Sequence, residues 1–83
     1  MIRFTVMQRC LVAEVTGDVD QHNAASKREQ TDIKIRCENI KNLVFDFTNL
    51  DFMDSSGIGI IIGRYKLVTS LGGKVAIAVK KPT

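Results

Sequence analysis

Leu43-Val44-Phe45-Asp46-Phe47-Thr48-Asn49-Leu50-Asp51-Phe52-Met53-Asp54-Ser55-Ser56-Gly57 leads without a break from a short aromatic run into the start of an apolar helix. Leu43 to Phe47, bounded by Asn42 and Asn49, has the length and composition of a central strand buried on both faces between neighbours. From Ser56 to Leu71 a helical wheel puts Ile58, Ile61, Ile62, Tyr65 and Val68 on one wide apolar arc and Ile60, Leu67 and Leu71 on a second, with Arg64 between them. Ser56, Gly59, Gly63 and Ser70, with Lys66 among them, form a third strip that is small and polar. Two glycines inside a helix cost roughly 1 kcal/mol each against Ala, so the strip predicts a surface that another chain approaches closely. Gly72-Gly73 supplies the helix stop, and Lys74 to Val79 alternates as a further strand.

Upstream, Ile2, Phe4 and Val6 alternate with Arg3, Thr5 and Met7, and Cys10 to Thr16 repeats the period-two pattern. These read as two antiparallel strands. Gly17-Asp18-Val19-Asp20 breaks the pattern, and Asp20 or Asn23 can accept a backbone N–H at the start of a helix that runs to about Glu38. The core-facing stripe of that helix, Ala24, Lys27 or Arg28, Thr31 and Ile35, carries charge and hydroxyl where apolar side chains are usual. The order strand, strand, helix, strand, helix, strand predicts an α/β fold: a mixed, mostly parallel four-stranded sheet with helices packed on it.

The chain has 83 residues, of which 45% are apolar and 25% charged, enough for one small domain and too apolar for a disordered tail. At this length folding removes only about 60–65% of the unfolded chain's surface from water, so the core is thin. A net charge of +3, scattered along the chain, is no nucleic-acid footprint. The longest uncharged run, Ser55 to Gly63, is far short of the ~20 residues that span a bilayer, and no signal-peptide pattern opens the chain. A soluble cytoplasmic protein is expected, with Cys10 and Cys37 as reduced, small core or half-buried thiols.

Motifs for catalysis or cofactors are missing. Gly57-Ile58-Gly59-Ile60-Ile61-Ile62-Gly63 misses the dinucleotide spacing by one residue, and neither a phosphate-binding GxxxxGK[ST] loop nor a GxSxG elbow is present. His22 is the one imidazole, and nothing in the spacing brings it to Ser55 or Ser56. Asp20, Asp46, Asp51 and Asp54 could gather at one end of a sheet, in no metal-loop pattern. No cofactor or metal is expected. For Asp54-Ser55-Ser56 the plain reading is a helix cap; the sharper one is a hydroxyl at a helix start, where free N–H groups and the dipole could hold an added phosphate.

Asp51-Phe52-Met53-Asp54-Ser55-Ser56-Gly57-Ile58-Gly59, followed by Gly63-Arg64-Tyr65-Lys66 and Gly72-Gly73 and preceded by Gly17-Asp18-Val19-Asp20, resembles the anti-sigma factor antagonists of the STAS domain family, and among them the sporulation antagonists of anti-sigma F factors. The resemblance covers residues 1–83. It implies a bacterial phosphoprotein of transcription regulation with no catalytic activity. Its partners would be an anti-sigma factor that is also a serine kinase, and a serine phosphatase, with no direct contact to nucleic acid or membrane. The resemblance puts the phosphate on Ser55 and partner contacts at Asp20, Asp54, Ser56, Gly59, Gly63 and Arg64. The alternative within the same fold is a regulatory STAS domain of a transporter or sensor protein.

Two features depart from the family pattern. The first helix carries Lys27 and Thr31 where the family is apolar, and the chain stops at Lys80-Lys81-Pro82-Thr83, where the family's next helix begins. The second departure predicts a domain truncated at its C-terminus. It also predicts self-association through the exposed edge of the last strand, burying Val75, Ile77 and Val79, unless Lys74, Lys80 and Lys81 keep the edge apart.

Overall fold

A computed structural model describes residues 1–80. In chain order the elements are β1 (Ile2–Met7), β2 (Cys10–Val15), β3 (Gly17–Val19), α1 (Ala24–Cys37), β4 (Asn42–Phe47), β5 (Leu50–Met53), α2 (Ser55–Ser70) and β6 (Val75–Val79). The main sheet has the order β1-β2-β4-β6, with β1 antiparallel to β2, and β4 parallel to both β2 and β6. This is the mixed α/β architecture expected. Two short strands were not: β3 and β5, expected as a turn and a loop, pair in parallel as a separate two-stranded ladder. The expected helix start at Pro82 and the charge at Lys81 lie outside the described residues.

Period-two alternation sends Leu11, Ala13, Val15, Leu43, Phe45 and Phe47 to one face of the sheet, where all are buried. Ala24 and Ile35 of α1 and Ile60 and Val68 of α2 join them in one cluster, so both helices cover that face. Burial of β4 on both faces, the expectation for a central parallel strand, does not hold. Val44 and Asp46 are only half-buried on the opposite face, because no described element packs there.

The β1–β2 connection is a two-residue loop in which Gln8 (φ 51°) and Arg9 (φ 64°) both take left-handed backbone, the twist such hairpins require. Neither is glycine, and tertiary bonds hold the turn. The Arg9 carbonyl accepts the Lys41 N–H at 2.8 Å and the Asn42 N–H at 3.2 Å, while the Arg9 Nε donates to the Asn39 carbonyl at 3.1 Å. In α1 the buried stripe is Ala24, Thr31 and Ile35, as the periodicity predicts, with Lys27 half-buried between them. Fully buried Thr31 satisfies its hydroxyl by donating to the Lys27 carbonyl at 2.8 Å. The start of α1 departs from expectation. Asn23 makes no side-chain cap; its Oδ1 accepts the Asp20 N–H at 3.1 Å, and the Asp20 carboxylate accepts the His22 N–H at 2.9 Å.

The wheel of α2 needs a larger correction. Gly57, Ile60 and Val68 are buried, with Ile61 and Leu67 packed against the core, so the inward face is centred between the two apolar arcs. Ile58, Ile62 and Tyr65 remain 52%, 50% and 54% exposed. Cys10 is half-buried, but Cys37 is exposed at the end of α1, against the expectation of a sheltered thiol.

At the end of β4 the Asp46 carboxylate accepts the Thr48 hydroxyl at 2.7 Å and the Thr48 N–H at 3.0 Å. The hydroxyl first, and the N–H second, hold its pKa below the ordinary value. A lowered folded-state pKa stabilises above the unfolded value, and this contribution fades as pH falls through the folded one.

Helix α2 ends with Gly72 in left-handed backbone (φ 84°), its N–H bonded to the Thr69 carbonyl at 3.0 Å and the Gly73 N–H to the Val68 carbonyl at 2.9 Å. The chain then passes against Lys41, and a Cβ at Gly73 would overlap the Lys41 carbonyl. Gly73→Ala should therefore destabilise by about 2–4 kcal/mol, lowering the melting temperature by at least ~10 °C. Thermal unfolding followed by circular dichroism checks this; an unchanged midpoint would mean the crossing is slack.

Candidate functional site

The β3–β5 ladder assembles the site. Asp18 lies opposite Phe52 and Val19 opposite Met53, and the Asp54 N–H continues the ladder by donating to the Val19 carbonyl at 3.1 Å. Asp20 and Asp54, 34 positions apart in sequence, thus leave neighbouring strands side by side at one end of the fold.

Asp54 is the cap of α2. Its backbone is extended (φ −99°, ψ −170°), and its Oδ1 accepts the Ser56 N–H at 2.8 Å. Its carbonyl accepts the Gly57 N–H at 3.1 Å and the Ile58 N–H at 3.4 Å. Of the first four helical N–H groups, three are therefore engaged, which leaves the Ser55 N–H. Ser55 is the first residue of the helix rather than a residue before it, and its side chain is exposed. Among the described residues its hydroxyl makes no hydrogen bond.

Ser56 turns the other way. It is half-buried and lines an open groove of about 370 Å³ between α1 and α2, with Gln21, Ala24, Ala25 and Arg28 on one wall and Gly59 and Ile60 on the other. A Cβ built at Gly59 or at Gly63 meets nothing within 4 Å, so the small strip of α2 is open, as expected. Gly57 differs: a Cβ there would collide with the Met53 side chain, which locks the loop onto the first turn of the helix. Beneath this turn, a void of about 10 Å³ between the sheet and the helices is too small for any ligand but a water molecule. Among the described residues no three potential metal ligands converge, the four aspartates included.

Arg64 departs from the expected partner surface. Its Nε lies 2.9 Å from Asp32 Oδ1 of α1, and the two side chains are only 12% and 20% exposed. The approach is off the hydrogen-bond direction, and Arg64 Nη1 is buried without an acceptor among the described residues. The pair ties α1 to α2 from inside. Asp32 and Gln21 stand unremarked in the sequence, and Arg28 reads there only as a candidate for the core-facing stripe, because their place follows from the packing of the two helices.

The sequence pattern of the STAS domain family matches residues 1–83. The chain belongs to the STAS domain family. An anti-sigma F factor antagonist of Paenibacillus polymyxa is 39% identical to it over 72 residues, which make up 87% of this STAS domain and 62% of that protein. The domain thus spans less than two thirds of that relative's length. The anti-sigma factor antagonist SpoIIAA in its unphosphorylated form superposes with a TM-score of 0.82 at 20% identity, covering 100% of this domain and 90% of that chain. The Bacillus cell fate determinant SpoIIAA in its phosphorylated form superposes with a TM-score of 0.77 at 25% identity, over 90% of this domain and 68% of that chain.

The ion pair between the helices carries a testable consequence for this STAS domain. Asp32→Ala strands the largely buried Arg64 guanidinium and should cost about 2–4 kcal/mol, whereas Asp32→Leu combined with Arg64→Met should recover most of that loss. Urea denaturation of the single and double variants measures both. Equal losses would show that the pair is not a unit.

Proposed function

We propose that this STAS domain is an anti-sigma factor antagonist, switched by phosphorylation of Ser55. In the unmodified state it binds an anti-sigma factor that is itself a serine kinase, and so releases a sigma factor in the cytoplasm of a sporulating bacterium. In this reading the domain performs no chemistry of its own: the kinase transfers phosphate to Ser55, and a serine phosphatase removes it. The supporting observation is the placement of the Ser55 hydroxyl, exposed and unbonded on the first residue of a capped helix. Asp54 precedes it, Asp20 leaves the neighbouring strand at the same end of the fold, and the Ser56, Gly59 and Gly63 strip is open alongside.

The switch works through charge. A phosphate on Ser55 adds about −1.5 to −2 at neutral pH beside the Asp54 carboxylate. Asp54 already holds the Ser56 N–H, so the helix start offers the newcomer little more than the Ser55 N–H. The added charge therefore remains at the surface, where a partner face fitted to a hydroxyl and bare glycines must desolvate it. Asp20, Asp54, Ser56, Gly59 and Gly63 are the contact residues in this reading; Arg64 supports them from within.

Incubation with the kinase-type anti-sigma factor of the same genome and ATP, followed by mass spectrometry, should locate phosphate on Ser55. Ser55→Ala should abolish incorporation, and Ser55→Asp should weaken the complex at least tenfold by calorimetry. Phosphate found on Ser56 alone would falsify the assignment.

Gly63→Leu separates docking from folding. It should leave the melting temperature unchanged or higher, since glycine inside a helix costs about 1 kcal/mol, while weakening the complex. Loss of folding would show instead that the strip is internally packed.

A further inference from the structure

The groove between α1 and α2 carries a single charge, that of Arg28, among uncharged lining residues. Asp32, one turn further along α1, is held by Arg64, and no carboxylate lies within ion-pair distance of Arg28 among the described residues. Asp32 meets Arg64 while Ala24 shares the groove with Ser56, so the two helices run in the same direction. Both begin at the end of the fold where Asp20 and Asp54 leave their neighbouring strands. In that register Arg28 lies across from Ile60. Helical side chains lean back toward the N-terminus, which carries the Arg28 guanidinium toward the level of the first turn of α2. That turn presents Ser55, one turn before Gly59 on the same flank of α2. Gly59 puts no side chain beside Ser55, and a Cβ built there meets nothing within 4 Å, so the space toward the groove is open. The helices touch, and packed helices lie roughly 8–10 Å apart, a gap that an arginine and a phosphoserine span when they extend from opposite sides.

We propose, on the reading that Ser55 carries the phosphate, that Arg28 is its receptor within the same chain. In the modified domain the guanidinium crosses the mouth of the groove and holds the phosphate in a two-pronged, charge-assisted contact, for which the planar fork of arginine is shaped. In the unmodified domain Arg28 has nothing to hold, and Ser56 and Gly59 stay open to a partner. Once bridged, the two side chains lie across Ser56 and Gly59. Phosphorylation thereby covers part of the strip offered to the anti-sigma factor with the chain's own atoms, in addition to charging it. The Asp54 carboxylate, on the cap itself, and that of Asp20, at the end of β3, oppose the phosphate, and Arg28 offsets them; His22, exposed ahead of α1, adds to Arg28 when protonated. The cap does not give way, because the Asp54 bonds to Ser56, Gly57 and Ile58 are untouched.

Phosphoserine placed at position 55 of the 83-residue chain by chemical ligation, without any kinase, tests the clamp beside the same protein carrying Arg28→Gln. Followed by phosphorus resonance, the phosphate should give up its second proton at lower pH in the wild-type chain than in the variant. Asp20, His22 and Asp54 are common to both proteins and drop out of the comparison. Phosphorylation should raise the melting temperature of the wild-type chain by roughly 2–4 °C and leave that of Arg28→Gln unchanged or lower. Arg28→Lys keeps the charge without the fork; it should fall between the two, and it serves if Arg28→Gln fails to fold. Matching titrations with equal changes in melting temperature would overturn the clamp and leave the Ser55 assignment standing. Kinase transfer to Ser56 alone, read by mass spectrometry, would overturn both.

Discussion

A hydrogen bond from the Asp54 amide to the Val19 carbonyl, 3.1 Å long, closes the β3–β5 ladder and with it the end of the molecule where the site lies. Without this ladder, the segments leaving β2 and β4 would be independent loops, free to diverge. With it, Asp20 and Asp54 are held on adjacent strands, Met53 is pressed over Gly57, and α2 begins at a fixed point above the sheet. The main sheet supplies half of the buried apolar side chains of the core, and this small second ladder fixes the surface at their end. Its stability comes from the half-buried Leu50 and Met53 and the buried Val19, since two short strands alone would be marginal in water.

Much of the architecture was legible because local pattern and global packing agree. The alternation at Ile2 to Val6 and Cys10 to Val15, the apolar run at Leu43 to Phe47 and the Gly72-Gly73 stop each specify an element that the tertiary structure also favours. The misreadings arise where packing decides and pattern is silent. Gly17-Asp18-Val19 is too short, and too rich in turn-forming residues, to signal a strand; its partner is more than thirty residues away. The β4 segment shows Val44 and Asp46 among apolar neighbours, a composition compatible with burial on one face or on two, and only the absence of a second layer over the described residues distinguishes them.

At the site, sequence reasoning reached the loop, the cap and the open glycine strip but misjudged which way α2 faces. Its wheel carries apolar side chains over more than half its circumference, so hydrophobicity alone does not select the buried side. Arg64 reads as a surface charge until Asp32 on the other helix is seen to meet it. Such a pair is invisible in sequence because the two residues are 32 positions apart and each is unremarkable in its own helix. From the residues alone Asp54-Ser55-Ser56 offered either a cap or a hydroxyl that could carry a phosphate, and only the resemblance singled out Ser55; the different orientations of the two serines follow from the 100° turn between consecutive helical positions once the buried face is known.

In the proposed reading α2 keeps the work of the core apart from that of recognition, which would let so small a domain switch without unfolding. The inward flank of α2, from Gly57 through Ile60 to Val68, carries its share of the core. The cap that starts the helix belongs to Asp54, not to either serine, and the bonds from Ser56, Gly57 and Ile58 to Asp54 leave the Ser55 hydroxyl outside the network. A charge added at Ser55 touches none of these groups. It would change what the outer surface can bind while the inward flank and the cap keep their partners, so the free and modified folds should be nearly identical. In a domain whose thin core leaves little stability to spare, a hydroxyl that lies off the bonds holding the helix is the place where a phosphate, as proposed for Ser55, would alter recognition at least cost to the fold.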